Sequence, residues 1–228
     1  MNTFLHQVLT LARVSNLPTI WTNVLAAWAV NATASPTFKI MPEVIGFAFF
    51  NWSTFAYLAV GASLIYAGGC TLNDAFDQNF DQDHNPKRPL PSGTISPKTV
   101  WVLGSAELIL GAFLMIALAG CEKTWVFALL ASVVFYDYIH KKWVGGIIIM
   151  GACRFFLWLA AATTAGQTEL APQTWIWALV LASYIIGISW FARGESKQRK
   201  EPVQYSIILL FSSPLLALAF LVYWNQLD

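Results

Sequence analysis

Four aspartates stand within ten residues of this 228-residue chain, although only 11% of the sequence is charged. They lie in the stretch "TLNDAFDQNFDQDHNPKRPLPSGTIS", which has long apolar segments on both sides. If the preceding helix continues through the motif, Asp74, Asp77 and Asp81 fall within about 60° of one another, and Asp83 points away from them. The spacing therefore predicts three carboxylates on one face of a helix.

Carboxylates aligned at the end of an apolar helix repel one another and resist desolvation unless a cation is present. Their hard oxygen atoms suit Mg²⁺, which retains some water molecules and takes further ligands from a phosphate. The neighbouring amide of Asn73 is a candidate for an additional oxygen ligand. The alternative is a solvated helix end whose acids face water. Three aligned acids, followed by basic residues, favour a metal–diphosphate site.

The loop after the aspartates supplies those basic residues. The segment "HNPKRPLPSGTISP" contains four prolines and a glycine, which turn and stiffen the backbone. A stiff loop presents Lys87 and Arg88 at a fixed place, where arginine can bind phosphate oxygens through two parallel hydrogen bonds. We therefore predict that both residues bind a diphosphate.

The composition indicates a membrane protein. Hydrophobic residues make up 57% of the chain, aromatic residues make up 15%, and the mean hydropathy is +0.57. This apolar share exceeds that of a soluble domain, and a net charge of +1 gives no reason to expect nucleic-acid binding. Because a membrane-spanning helix needs about 20 apolar residues, the sequence predicts one all-α domain over residues 1–228 with seven transmembrane helices. They are Leu17–Ala34, Ile45–Gly69, Val100–Gly120, Thr124–Ile139, Val144–Gly166, Trp175–Ala192 and Val203–Trp224.

The distribution of basic residues predicts how these helices are oriented. The N-terminus and every second loop together hold ten of the 13 lysines and arginines. The positive-inside rule places those segments in the cytoplasm. The chain is therefore predicted to be a multi-pass protein of the cell (inner) membrane with a cytoplasmic N-terminus, and the aspartate motif lies at the cytoplasmic face.

The motif resembles a known family. The sequence "NDAFDQNFD" followed by "KRPLPSG" resembles the first aspartate-rich motif of the UbiA superfamily of intramembrane prenyltransferases, N-D-x-x-D-x-x-x-D and then an Arg-Pro-x-x-Ser/Ala-Gly loop. The segments "ARVSNLPTIWTNVLAAW" and "YDYIHKKWVGGIIIMGACR" resemble the first helix of the family and its Tyr-x-x-x-x-Lys loop. "RPLPSG", "MGACR" and "ARGES" together are similar to the divergent branch found in bacterial ebo gene clusters.

The resemblance implies a helical bundle around a central cavity open to lipid. In such a bundle the aspartates hold Mg²⁺, and the metal holds a prenyl diphosphate whose tail lies among the helices. Because members of the family have two helices more than the seven predicted here, the resemblance also implies that the last two are missing from this chain.

Further site residues follow from other loops. "YIIGISWFARGESKQRK" stands where most of the superfamily has a second aspartate motif, but it contains no aspartate. Glu195 is a candidate ligand for a second Mg²⁺ and Arg193 for the diphosphate, unless both simply mark a helix end. By resemblance to the family's lysine loop, Lys141 binds the diphosphate. A single loop histidine is usually solvated, so His140 is given no role.

Arg154 is the one basic residue inside a predicted span. It lies about 12 residues beyond Lys142, hence roughly 18 Å along a helix, where an arginine facing lipid costs at least ~2.5–3.5 kcal/mol. It should therefore face the bundle interior. There it either forms an ion pair with Glu107 or Asp137 or contacts the acceptor substrate, and the sequence leaves both possibilities open.

Three residues at the start of the first span complete the predicted site. By resemblance, Arg13, Asn16 and Asn23 line the acceptor pocket, with Asn23 the strongest candidate because it lies within apolar sequence. Helix capping is the simpler account of Asn16, which stands beside Pro18.

The predicted function is Mg²⁺-dependent transfer of a prenyl group from a prenyl diphosphate to a small aromatic or polar cyclic acceptor at the cytoplasmic side of the membrane. One alternative is phosphoribosyl-type transfer to a polyprenyl phosphate, since "DHNPKRP" resembles the loop of superfamily members with that activity. A second alternative is a cation-coupled transporter. A transporter predicts acids near the middle of the membrane, whereas the sequence places them at its edge.

Overall fold

The structure is a computed structural model that describes residues 3–34, 51–141, 143–196 and 203–225. Within these ranges the protein contains nine α-helices and no strands, which confirms the predicted all-α class. A π-helical turn, Leu114–Leu118, extends the fifth helix. The helices are α1 (Thr3–Leu11), α2 (Leu17–Thr33), α3 (Trp52–Phe76), α4 (Gln78–His84), α5 (Pro97–Phe113), α6 (Lys123–Ile139), α7 (Gly146–Ala162), α8 (Pro172–Ser196) and α9 (Val203–Asn225).

Each of the seven predicted spans overlaps one helix, namely α2, α3, α5, α6, α7, α8 or α9. By length and composition, three of the described helices can cross a membrane on their own: α3, α5 with its π-helical turn, and α8 up to Ala192. Two more, α7 and the part of α9 over Tyr205–Phe220, are apolar but shorter. The membrane-bundle class therefore holds, and seven complete spans remain a prediction.

The second predicted span, Ile45–Gly69, overlaps α3, which continues beyond the span to Phe76 and so carries the start of the aspartate motif, as the spacing of the acids assumes. Residues 45–50 of that prediction lie outside the described residues. The helix begins after Asn51, whose Oδ1 accepts hydrogen bonds from the backbone N–H groups of Ser53 (2.9 Å) and Thr54 (3.4 Å). Loss of hydropathy after residue 69 did not mark a helix end, because the polar turn that follows is buried by neighbouring helices.

Small residues hold α3 against α5. A Cβ atom on Gly111 would lie 2.7 Å from the carbonyl oxygen of Gly61, and one on Gly68 would lie 2.9 Å from that of Gly104. Glycines at such positions let membrane helices approach backbone to backbone. This interface fixes α3, which carries the aspartate motif, against α5, which follows the basic loop.

Asn31 holds together the end of the bundle opposite the aspartate motif. Its Nδ2 donates to the carbonyl oxygens of Ala162 and Glu169, both at 3.1 Å. Its Oδ1 accepts from the backbone N–H of Ala171 (3.0 Å) and from the hydroxyl of Thr174 (2.9 Å). Asn31 is only 4% exposed, so one buried amide joins α2 to the end of α7 and the beginning of α8.

Candidate active site

The aspartate motif lies at the junction of α3 and α4. The helix ends at Phe76 and resumes at Gln78, so the prediction of one uninterrupted helix is wrong at Asp77. The helical hydrogen-bond pattern nevertheless continues, since the backbone N–H of Asp81 donates to the carbonyl oxygen of Asp77 at 2.8 Å. The chain therefore keeps its direction through the motif, and the predicted angular relation between the acids is retained.

We call Asp74, Asp77 and Asp81 the acidic cluster. Their exposed fractions are 6%, 4% and 0%, whereas Asp83 is exposed. This confirms the predicted shared face and argues against acids that face bulk water. Because buried carboxylates are costly without compensating charge, each member should have a cationic partner.

Two arginines neutralise Asp74 and Asp81. Nη1 of Arg88, from the basic loop, donates to Oδ2 of Asp81 at 2.6 Å and lies 3.3 Å from Oδ1 of Asp74. Nη2 of Arg13 donates to the same Asp74 oxygen at 3.2 Å. Burial acts to lower the pKa of Arg13, but the neighbouring Cys70 and Asp74 act to raise it, and the resulting pKa is raised. The Arg13 guanidinium therefore stays charged, and Arg88 bridges two members of the acidic cluster.

Asp77 is neutralised from the end of α6. Its Oδ2 lies 3.1 Å from Nε2 of His140 and 3.4 Å from Nζ of Lys141. The Lys141 ammonium also lies 4.0 Å from the ring centroid of Phe80, in a cation–π contact. His140 is 9% exposed, so the interpretation of it as a solvated loop histidine is wrong. Nothing in the sequence except its position next to Lys141 marks its contact with α3.

Asn73 connects the acidic cluster to α6. Its Nδ2 donates to Oδ1 of Asp137 at 3.1 Å, and its Oδ1 accepts from Nη2 of Arg13 at 3.4 Å. Asp137 is 4% exposed, and its second oxygen, Oδ2, is buried without a hydrogen-bond partner. Oδ1 of Asn73, the predicted metal ligand, therefore already accepts one hydrogen bond and keeps a second lone pair.

A cavity of about 320 Å³ lies between α2, α3, α6, α7 and α8. Its wall is mostly apolar and includes Ile65, Leu129 and Val133. Arg13 and Asn73 belong both to this wall and to the contacts of the acidic cluster, so the cavity adjoins the cluster directly. The polar residues of the wall are Arg13, Asn16, Tyr66, Asn73, Tyr136, Asp137, Arg154 and Ser189.

Arg154 lines this cavity, as its depth in the sequence predicted. Its Nη2 donates to the hydroxyl of Thr19 at 3.4 Å, and its Nη1 is buried without a hydrogen-bond partner. In the described part of the chain no ion pair joins Arg154 to Glu107 or Asp137, and Glu107 instead accepts a hydrogen bond from Thr71 at 3.0 Å. The ion-pair interpretation of Arg154 is therefore wrong.

Of the asparagines predicted for the acceptor pocket, Asn16 lines the cavity and Asn23 is not among its wall residues. Asn16 precedes α2 but makes no side-chain cap, and its Nδ2 donates to the hydroxyl of Tyr66 at 3.0 Å. The capping interpretation of Asn16 is therefore wrong. Asn23 is half-buried beside the face of α2 that buries Ile20 and Val24.

Three other predicted site residues are less constrained. Lys87 is exposed beside Arg88. Arg193 and Glu195 lie in the last turn of α8, and their side chains are outside the part of the chain that the structure describes. Their predicted roles in diphosphate and metal binding remain predictions.

The acidic cluster has the chemistry of a Mg²⁺ site that water and phosphate complete. Among the described residues, no three His, Cys, Asp or Glu side chains lie close enough together to bind one metal ion. Mg²⁺ commonly uses only one or two carboxylates, while water and substrate phosphates fill its other positions. The carboxylates of Asp74 and Asp81 would become available to an ion once Arg88 leaves them.

Comparisons with known proteins agree with the motif. The sequence profile of the UbiA prenyltransferase family matches residues 44–227. A 4-hydroxybenzoate octaprenyltransferase of Ectopseudomonas mendocina is 31% identical over 134 residues, which are 57% of this chain and 42% of that protein. A digeranylgeranylglyceryl phosphate synthase of Methanopyrus kandleri is 30% identical over 136 residues, 56% of this chain and 46% of the relative. These matches span about half the length of the relatives.

The fold also has a solved counterpart. A structure from work on digeranylgeranylglyceryl phosphate synthase in membranes aligns with 97% of this chain and 78% of its own, with a TM-score of 0.70 and 19% sequence identity. The likeness at this identity concerns the fold, and it extends the agreement from the motif to the arrangement of the helices.

Proposed function

Because this chain belongs to the UbiA prenyltransferase family, we propose that it transfers a prenyl group from a prenyl diphosphate to a small acceptor at the cytoplasmic side of the membrane. One observation carries the proposal: a buried acidic cluster, surrounded by basic side chains, adjoins a largely apolar cavity. The charged end suits a diphosphate, and the apolar wall suits an isoprenoid tail. A transporter site would place the acids near the middle of a membrane helix. The acids of this chain lie at the end of α3 instead.

In this proposal Mg²⁺ would be bound by one or two carboxylates of the acidic cluster (Asp74, Asp77 and Asp81), with water and the diphosphate completing its coordination and with Asn73 and Glu195 as additional candidate ligands. When bound, the ion would neutralise the negative charge that develops on the leaving diphosphate.

Basic side chains bind the remaining diphosphate oxygens. Arg88 and Lys141 already lie beside the acidic cluster, and Lys87 and Arg193 are the further candidates from the neighbouring loop and helix end. Their N–H groups donate to the same oxygens that gain charge as the C1–O bond breaks, so they stabilise the transition state more than the bound substrate.

The transfer consists of one bond broken and one bond formed. The C1–O bond of the prenyl diphosphate breaks, and its electron pair leaves with the diphosphate. The resulting allylic cation forms a bond from C1 to a carbon or oxygen nucleophile of the acceptor, which then releases a proton to the diphosphate or to water. The apolar wall excludes water from the cation, and Arg154 contacts the acceptor.

Diphosphate release tests this function. The full chain in lipid nanodiscs is incubated with geranylgeranyl diphosphate and Mg²⁺, in wild-type form and as the variants D74N and D77N. We expect both variants to lose at least about 100-fold in activity, because each replaces a charged oxygen ligand of the Mg²⁺ that would neutralise the leaving diphosphate. The matched control is D83N, which changes an exposed acid of the same motif and should keep wild-type activity. Full activity of D74N or D77N would contradict the proposal.

A further inference from the structure

Two buried polar atoms, each on a residue of the cavity wall, have no hydrogen-bond partner among the described residues. One is Oδ2 of Asp137, a hydrogen-bond acceptor, and the other is Nη1 of Arg154, a donor. Both residues line the same cavity. Buried polar groups are normally paired, so an unpartnered pair of this kind indicates a place where a ligand or water completes the hydrogen bonds.

We propose that Asp137 selects the acceptor substrate by accepting a hydrogen bond from a hydroxyl group on it. This inference rests on the proposed prenyl transfer and concerns recognition only, without proton transfer. Asp137 is suited to this role because its other oxygen is held by Asn73 at 3.1 Å. Its carboxylate is therefore fixed in the wall rather than free to turn toward solvent.

The charges of the wall favour a hydroxyl over other donors. Arg13 and Arg154 both line the cavity, so an ammonium group would meet two positive side chains. An ionised carboxylate has no hydrogen to donate to Oδ2 of Asp137. A hydroxyl donates a hydrogen bond without carrying charge, and an oxygen elsewhere on the same molecule can accept from Arg154. The acceptor is therefore a small hydroxylated molecule with at least two polar positions.

The test compares two acceptors that differ by one methyl group, which removes the hydrogen that could be donated to Asp137. Wild-type chain in nanodiscs with geranylgeranyl diphosphate and Mg²⁺ is supplied with 4-hydroxybenzoate, with 4-methoxybenzoate, or with myo-inositol, and diphosphate release is measured. The two benzoates share a carboxylate and an electron-rich ring, but only the first can donate to Asp137. We expect at least one hydroxylated probe to stimulate release, and we expect 4-methoxybenzoate to give about 10- to 100-fold less stimulation than 4-hydroxybenzoate.

The matched variant is D137N, whose amide can keep the contact with Asn73 while presenting an N–H₂ group in place of Oδ2. Its KM for the hydroxylated probe should rise about 10- to 100-fold, while its KM for geranylgeranyl diphosphate stays unchanged. A merely structural role would alter both constants or neither. V134A, an exposed position on the same helix (41% exposed), should behave as wild type.

The outcomes separate this inference from the function on which it rests. An unchanged hydroxyl preference in D137N overturns the role of Asp137. Slow hydrolysis of the prenyl diphosphate that no hydroxylated probe stimulates overturns the inference alone. Failure of the wild type to bind or consume geranylgeranyl diphosphate overturns the proposed function as well. If D137N does not fold, D137S, which also removes the carboxylate, is measured in its place, and an unchanged hydroxyl preference in that variant overturns the role of Asp137.

Discussion

Arg88 offers the sharpest test of the acidic cluster, because one guanidinium contacts two of its carboxylates. In R88M the apolar stem of the side chain is kept, but the charge at 2.6 Å from Asp81 and 3.3 Å from Asp74 is lost. Asp74 retains Arg13 at 3.2 Å. Asp81, which is fully buried, loses the Arg88 cation and, among the described side chains, keeps a hydrogen bond from Asn85 at 2.8 Å.

The magnitude follows from how well each partner is shielded from water. Removing one partner of a fully buried ion pair costs about 3–5 kcal/mol, whereas an exposed pair contributes about 0.2–1 kcal/mol. The Asp81 side chain is 1% exposed and that of Arg88 is 38% exposed, so the pair lies between these limits. We expect R88M to lose about 1–3 kcal/mol, or roughly 2–10 °C in Tm for a chain of this length.

Mg²⁺ should reverse this loss, because a divalent ion can replace the missing charge and stabilises the folded state in proportion to its occupancy. The assay is thermal unfolding of detergent-purified protein with chelator and with millimolar Mg²⁺. R88M should gain more from Mg²⁺ than the wild type, in which Arg88 occupies the two carboxylates. K98M, an exposed lysine at the start of α5, is the control and should change neither value. Equal Mg²⁺ gains in R88M and wild type would refute the reasoning, as would R88M being as stable as wild type in chelator.

Two stability predictions concern the scaffold. N31A should lower the free energy of unfolding by about 2–4 kcal/mol, because it leaves the fully buried hydroxyl of Thr174 and a backbone N–H unpaired. Denaturant unfolding measures the loss, and T33A, at an exposed position, is the control. A loss below about 0.5 kcal/mol would contradict the stabilising role of the Asn31 hydrogen bonds. G111A should lower the free energy of unfolding by about 1–3 kcal/mol, because its Cβ would lie 2.7 Å from a backbone oxygen of α3. S105A, on the exposed side of α5, is the control. An unchanged Tm would show that α3 and α5 can move apart without loss of stability.

Much of the fold was predictable because hydropathy is a local property. Each apolar segment overlaps a helix, and the spacing of Asp74, Asp77 and Asp81 correctly predicted one shared face. Hydropathy alone does not show that α3 continues past Gly69. The residues that follow are polar in sequence, and only packing against other helices buries them, so the continuation to Phe76 was expected from the spacing of the aspartates and not from hydropathy.

The acceptor side of the site was harder, since it depends on the rotation of whole helices. Asn16 and Asn23 are both asparagines near the start of α2, and only the observed rotation shows that the first lines the cavity and the second lies beside the buried face. Arg154 was placed correctly by its depth, but its supposed partner was not. Glu107 is bound by Thr71 on a different helix, a pairing for which the sequence carries no spacing signal.

The partners of the acidic cluster show why the acids could be predicted from the sequence while their ion pairs could not. Three carboxylates can be buried together only if cations reach them, and the motif supplies just one, Arg88, from its own loop. The others come from before α2 (Arg13) and from the end of α6 (His140 and Lys141), far from the motif along the chain. The motif therefore predicts that cations must lie beside its acids. Which residues supply those cations depends on how α2, α3 and α6 pack, which the sequence does not show.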